Sequence, residues 1–388
     1  MLQEPNFSKR FHALDNLRGV MMWLGIVFHV SILHTTYPTA PITLRDTQTS
    51  LLADVQVGFI HAFRMPVFFI LAGFFVCLLA QQRGLKEMLR HRFKRIALPF
   101  AMFWLLLFPV TSVAYLAYLF RMSNGGWGIE LPQANSSGAT APLDAMHMWF
   151  LWMLIWFCLM GAAVLKATQT LKFLSQPKLG LMLQALVTKP YAPLVLALPL
   201  ILTDASYSMG VLETNTTFLP PLAQWLHYSL YFLWGMALFV YREQALTLFA
   251  QRRLSATLLG LLFFSVYLGL ADTHNKSPDG IDYAAVWLAV FYSLSSWCLC
   301  LAWLGWFVHL LEQEIPFLSY LSQSSYWVYL LHFPLTILFG VVLYPWGAAP
   351  ALKILLNVLL TTLVCVVSYE LMVRRTFIGV FLNGKKYS

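Results

Sequence analysis

Ile60-His61-Ala62-Phe63-Arg64-Met65-Pro66-Val67-Phe68-Phe69-Ile70-Leu71-Ala72-Gly73-Phe74 decides what kind of protein this is. One arginine and one histidine stand in an otherwise apolar run that reaches from about residue 55 to 80. A run of that length can cross a bilayer as a helix, which takes roughly 17–25 residues. Arg64 lies about seven residues, or ~10 Å, inside its outer end, too deep to reach the headgroups easily. The rest of the chain agrees. Of 388 residues 59% are apolar and only 11% charged, against about 25% charged in a soluble domain. Disorder, a coiled coil and a disulfide scaffold are excluded. The five cysteines all fall in apolar runs and have no CxxC spacing, so they read as structural.

Working outward, ten stretches qualify as spans: about 17–34, 55–80, 97–120, 147–165, 190–203, 222–240, 254–271, 284–308, 323–343 and 351–373. The fifth is weak, being short and holding Pro190, Pro193 and Pro199. Charge placement tests the count, because Lys and Arg collect in cytoplasmic loops. With the N-terminus inside, the inner segments hold nineteen basic residues and a net +14, and the outer loops a net −7. Without the fifth span, Arg242, Arg252 and Arg253 would move outside. The sequence therefore predicts an all-α polytopic membrane protein of ten spans, with both termini cytoplasmic. It predicts one integral membrane domain over 1–388, and a first span that is an uncleaved anchor. The net charge of +9 is a topology signal, and nucleic acid is not an expected partner.

Polar groups inside spans are few and can be weighed singly. Arg18 and His29 are eleven residues apart in the first span. That is three turns, so they share a face about 16 Å apart, and Asp15 joins it one turn below Arg18. The stripe reads as a path inward from the cytoplasmic edge, or as a snorkelling Arg18 with a structural His29. Arg64 in the second span lies at the depth of His29, where the two could hold an anion beside a base. Its other reading is a clamp satisfied by carbonyls and acids. Arg92 and Arg95, three apart before the third span, suit a phosphate-bearing ligand. Taken alone, the pair is better read as a lipid-binding or topogenic basic loop. His61, the His147-Met148-Trp149-Phe150-Leu151 run, His332 in Tyr329-Leu330-Leu331-His332-Phe333-Pro334, and Glu370 complete the set. Glu370 could counter Arg18 or Arg92. The histidines lack metal-ligand spacing, so no metal is expected.

In this order these pieces resemble the acyltransferase-3 family of integral membrane acyltransferases. The matching signs are Arg18-x10-His29, Phe63-Arg64 with Phe68-Phe69 and Gly73-Phe74, and Arg92-x-x-Arg95 with Pro99. His147-x-Trp149-Phe150-Leu151, Tyr329-Leu330-x-His332-x-Pro334 and Tyr369-Glu370 complete them. Within the family, the Leu14-Asp15-x-x-Arg18 and Ile60-His61-x-Phe63-Arg64-Met65 segments look closest to the branch that succinylates osmoregulated periplasmic glucans. The resemblance implies a bacterial inner-membrane enzyme with no permanently bound cofactor. It would take acyl-CoA, succinyl- or acetyl-CoA, from the cytoplasm and pass the acyl group to a glucan or another envelope glycan. His29 would be the general base or would carry the acyl group itself. Arg64 would stabilise the oxyanion or hold the distal carboxylate of a succinyl group. Arg18, Arg92 and Arg95 would meet the CoA phosphates, and His61, His147, Trp149, His332 and Glu370 would complete substrate binding. An O-acetyltransferase for another polysaccharide, a transporter with a buried His/Arg path and a structural subunit of a glycan synthase are the alternatives.

Overall fold

The computed structural model describes residues 12–37, 44–129, 144–170, 176–278, 280–310 and 315–384. Lys9, Arg10, Lys172, Lys385 and Lys386, and on the acidic side Glu4, Glu130, Asp279, Glu312 and Glu314, entered the charge count and lie outside the described residues, as do both termini.

Every regular element among the described residues is helical, and the one β-type contact is the isolated bridge Asp144–Thr217. The helices are α1 (His12–Ile32), α2 (Leu51–Arg83), α3 (Leu85–Arg92), α4 (Leu98–Asn124), α5 (Trp149–Thr170), α6 (Pro177–Thr188) and α7 (Ala192–Asp204). There follow α8 (Leu222–Val240), α9 (Arg242–Lys276), α10 (Ala284–Leu310), α11 (Pro316–Leu343), α12 (Pro350–Ser368) and α13 (Phe377–Asn383). A π turn, Phe93–Ala97, joins α3 to α4, and another, Tyr369–Arg374, extends α12. Helices dominate because a backbone in hydrocarbon must bond to itself.

Seven helical segments are long and apolar enough to cross a membrane, or eight if α6 and α7, which meet at 95°, form one broken span. The chain is thus a multi-pass membrane protein. The two expected spans that miss this standard are α1 and α8. Both are helical where the sequence placed them, but Asp15, Asn16, Arg18 and His29 dilute the first, and Gln224 and His227 the second. Their polar residues face other helices. The weak fifth stretch is α7, 13 residues long, or about 20 Å, short of the ~30 Å hydrocarbon core.

α2 is the axis of the bundle: 78% of its most apolar window is buried, against 22% for α9 and for α12, which present their leucines outward. α2 and α8 run in the same direction. Phe69 lies on Tyr228, a Cβ on Gly73 would strike Phe232, and Cys77 meets the carbonyl of Met236, a step of four on both helices. α1 and α11 are also parallel, since Arg18 meets Ser322 and His29 meets His332 and Phe333. At one end of α1, Lys353 Nζ of α12 bonds Asp46 of the α1–α2 loop at 2.8 and 2.9 Å.

Candidate active site

The eleven-residue stripe on α1 faces α11. At its lower end Arg18 donates to Ser322 Oγ at 3.2 Å and pairs with Asp15 at 3.4 Å; its side chain is 41% exposed, as suits a mouth. At its upper end the His29 ring lies 5.1 Å from that of His332 and 4.8 Å from Phe333.

Arg64 reaches the same level from α2 through a notch in α1. A Cβ at Gly25 would overlap Arg64 Nη2 and lie 3.0 Å from its Cζ and 3.3 Å from His332 Nε2. Glycine here lets a guanidinium and an imidazole lie against a helix backbone. Gly25 is one turn before His29, so the notch opens beside it. Arg64 Nε donates to the carbonyl of Met21 at 3.1 Å, and the guanidinium carbon sits 5.6 Å from the Phe28 ring centre. Among the described residues no carboxylate lies within ion-pair distance of this buried cation.

Backbone carbonyls fix two histidine tautomers. His332 Nδ1 lies 2.9 and 2.8 Å from the carbonyls of Val328 and Tyr329. Carbonyl oxygens only accept, so Nδ1 carries the proton and Nε2 a free lone pair. His147 Nε2 donates to the carbonyl of Leu330 at 3.1 Å, which leaves its lone pair on Nδ1. His332 Nε2, His147 Nδ1 and His29 Nδ1 are all buried without a hydrogen-bond partner among the described residues. The His147 ring is 5.9 Å from His332 and stacks on Phe333 at 5.0 Å. α1, α2, α11 and the turn before α5 therefore bring three imidazoles and one guanidinium together, walled by Phe28, Tyr329 and Phe333. Such a set can accept a proton, receive a hydroxyl and stabilise a developing oxyanion.

The other expected residues are placed around this centre. His61 bonds Tyr292 Oη at 2.9 Å and stacks on Phe28 at 6.0 Å, so it touches the cluster through that ring. Trp149 packs on Tyr228 at 5.4 Å, outside the cluster. Arg92 lines a groove of about 340 Å3 between the first π turn and α5, with Arg90, Ile96 and Cys158, and its buried Nε has no partner among the described residues. Arg95 Nη1 instead donates to the carbonyls of Val380 and Phe381, both at 2.7 Å, and so fastens α13. The two arginines were expected on one helical face; the π turn between them changes the pitch and separates their directions. Glu370 pairs with Arg374 of its own turn at 3.0 Å, and this corrects the expectation that it counters Arg18 or Arg92.

Three features lay beyond the sequence reading. Gly25 carried a local signal, a small residue one turn from a buried histidine. The buried pair Asp204–His227, 2.8 Å apart, joins α7 to α8 and carried none. Asp144, which holds the turn bearing His147, is in the sequence one acid among those of the outer loops.

The family described as "Acyltransferase domain", acyltransferase-3, matches residues 11–370. The chain is 25% identical to Glucans biosynthesis protein C of Escherichia coli O17:K52:H18 (strain UMN026 / ExPEC) and to that of Shigella dysenteriae serotype 1 (strain Sd197). It is 24% identical to that of Escherichia coli (strain K12). Each comparison covers 98% of this chain and 96% of the relative. No solved structure matches. With a family model running through nearly every helix that builds the histidine–arginine cluster, the chain belongs to the acyltransferase-3 family and is an acyl-transferring membrane enzyme.

Proposed function

We propose that the chain, as one membrane domain over 1–388, is an inner-membrane O-acyltransferase that moves a succinyl group from cytoplasmic succinyl-CoA to hydroxyls of osmoregulated periplasmic glucans. The observation that carries this reading is Arg64 seated in the Gly25 notch beside His29, with no carboxylate among the described residues to consume its charge. The names of the relatives support a glucan acceptor.

Ten spans with both termini cytoplasmic fit the chain directions. α2 and α8 can run parallel only if an odd number of crossings separates them. α4 and α5 supply two, so the bent α6–α7 pair supplies the third. Adding α1 and α8, each parallel to a spanning partner, gives ten.

In this reading Arg18 and Arg92 hold the donor phosphates at the cytoplasmic edge, with Arg95 shaping that edge through α13. The pantetheine arm runs inward along the α1–α11 stripe. His332 and His147 offer lone pairs to neighbouring hydroxyls of the acceptor sugar, with His61 and Trp149 on the outer flank. The hydroxyl oxygen bonds to the thioester carbon as neutral His29 takes its proton. The tetrahedral oxyanion forms against Arg64. The C–S bond then breaks, and the thiolate recovers the proton from His29, leaving an ester and free CoA. No net proton is produced, so no path to bulk water is needed.

His29→Ala should lower transfer by at least the ~10²–10⁴-fold typical of a positioned base while membrane insertion is unchanged. Near-normal transfer in that variant overturns the mechanism. Membranes given labelled succinyl-CoA or acetyl-CoA with periplasmic glucans identify the donor: base-labile succinyl label on the sugar is expected. Acetyl label alone replaces succinyl in this reading.

A further inference from the structure

The turn that delivers His147 is built against backbone preference. Met146 has φ of +47°, a left-handed conformation that an unbranched, bulky residue seldom adopts outside a constrained site. The turn Met146–Met148 leads directly into α5 and must aim the His147 ring inward between α1 and α11. Something has to hold it in that shape.

Asp144 ties that turn's entrance in three directions, two through its side chain and one through its backbone carbonyl. Its Oδ1 accepts the Met146 N–H at 2.9 Å, closing an Asx turn over residues 144–146. Its Oδ2 accepts from Thr216 Oγ1 at 2.8 Å, and its carbonyl accepts the indole N–H of Trp104 at 2.8 Å. The neighbouring Ala145 N–H donates to the Thr216 carbonyl at 2.8 Å. On the far side of the turn, Tyr329 Oη donates to the His147 carbonyl at 2.8 Å and His147 Nε2 donates to Leu330. His147 is thus gripped by α11 on one side, and on the other by residue 144, whose carboxylate is tied to the loop before α8 and whose backbone carbonyl is tied to α4. The Met146 N–H bond is the carboxylate's direct hold on the strained residue.

We propose that Asp144 is the positioning residue for His147, holding the strained turn that presents the Nδ1 lone pair to the acceptor sugar. This rests on the role given to His147 in the proposed function. Positional errors near 1 Å can lower turnover by about 100-fold.

The test compares kcat and donor KM in full-length protein in membranes, with detergent elution profile as the control for folding. Asp144→Ala should lower kcat by about 100-fold and leave the KM for acyl-CoA unchanged. Asp144→Asn keeps an oxygen for the Met146 N–H and should retain most activity. Adding Met146→Gly to Asp144→Ala should recover at least about tenfold, because glycine takes positive φ without strain. In a His147→Ala background, Asp144→Ala should cause no further loss. Wild-type turnover in Asp144→Ala, with His147→Ala impaired, overturns the inference alone. So does a loss that Met146→Gly fails to restore and that adds to His147→Ala. Full activity in His147→Ala overturns the role of His147, and this inference with it.

Discussion

The fold treats two of its buried cations, Lys353 and Arg64, differently. Lys353 is fully buried, and its three N–H groups are matched by the two Asp46 oxygens at 2.8 and 2.9 Å and the Tyr344 carbonyl at 3.2 Å. Asp46 in turn accepts from the Gln48 N–H at 2.8 Å. Arg64 is 4% exposed, has five N–H groups, and among the described residues meets the Met21 carbonyl and no carboxylate. The first charge is used up in holding the α1–α2 loop on α12. The second keeps its field. Since an unmatched buried charge is costly, its persistence beside three imidazoles is what a site for a developing oxyanion requires.

The comparison breaks most visibly at Arg64. Arg64→Met should lower transfer by about 10²–10³-fold, the loss typical of removing an oxyanion donor. Its thermal stability should hold or rise, because an unpaired charge leaves the interior. Arg64→Lys should rescue poorly, since a point charge does not reproduce the planar fork. Gly25→Ala asks the same question from α1: the added methyl displaces Nη2, and activity should fall about 100-fold with the helix intact. Full activity in Arg64→Met, measured as initial rate per inserted protein, would make Arg64 a clamp like Lys353.

Lys353 should give the opposite pattern. Lys353→Ala leaves Asp46 charged and buried, which should destabilise the protein by about 3–5 kcal/mol. The turnover of the remaining folded fraction should not change. Replacing both partners, Lys353→Met with Asp46→Leu, should recover most of that stability, because the penalty lies in the orphaned charge. Thermal shift in detergent measures both variants. Unchanged melting with lost turnover would move Lys353 into the class of Arg64.

How legible this contrast was depends on the range of the interactions. The Arg18–His29 stripe follows from helical pitch alone, and α11 meets it at matching positions, Ser322 and Phe333, eleven residues apart. The depth of Arg64 could be counted from the outer end of its span. α1 and α8 were legible as apolar runs even though the polar residues they carry lower their hydropathy, and charge placement kept the short fifth stretch, α7. The π turn that parts Arg92 from Arg95 leaves no mark in a pattern read at 3.6 residues per turn. The partners of Asp46 and Asp204 are set by tertiary packing, over 307 residues in the first case and 23 in the second. Both acids read as ordinary loop charges until the helices are assembled.

Glu370 gives the mildest test. It is the last acid that could have neutralised the cytoplasmic arginines, and it lies in the π turn at the end of α12. It bonds Arg374 at 3.0 and 3.1 Å with both side chains partly exposed, and Arg374 also sits 5.8 Å over the Tyr320 ring. Half-exposed pairs of this i,i+4 kind contribute about 0.3–0.5 kcal/mol. Glu370→Gln should therefore change stability by no more than that and donor KM by less than about twofold. A tenfold rise in donor KM would mean that Glu370 orients Arg18 or Arg92 when acyl-CoA binds. The inner edge would then contain a matched charge pair of the Lys353 kind, and Arg64 would stay the unmatched cation beside the histidines.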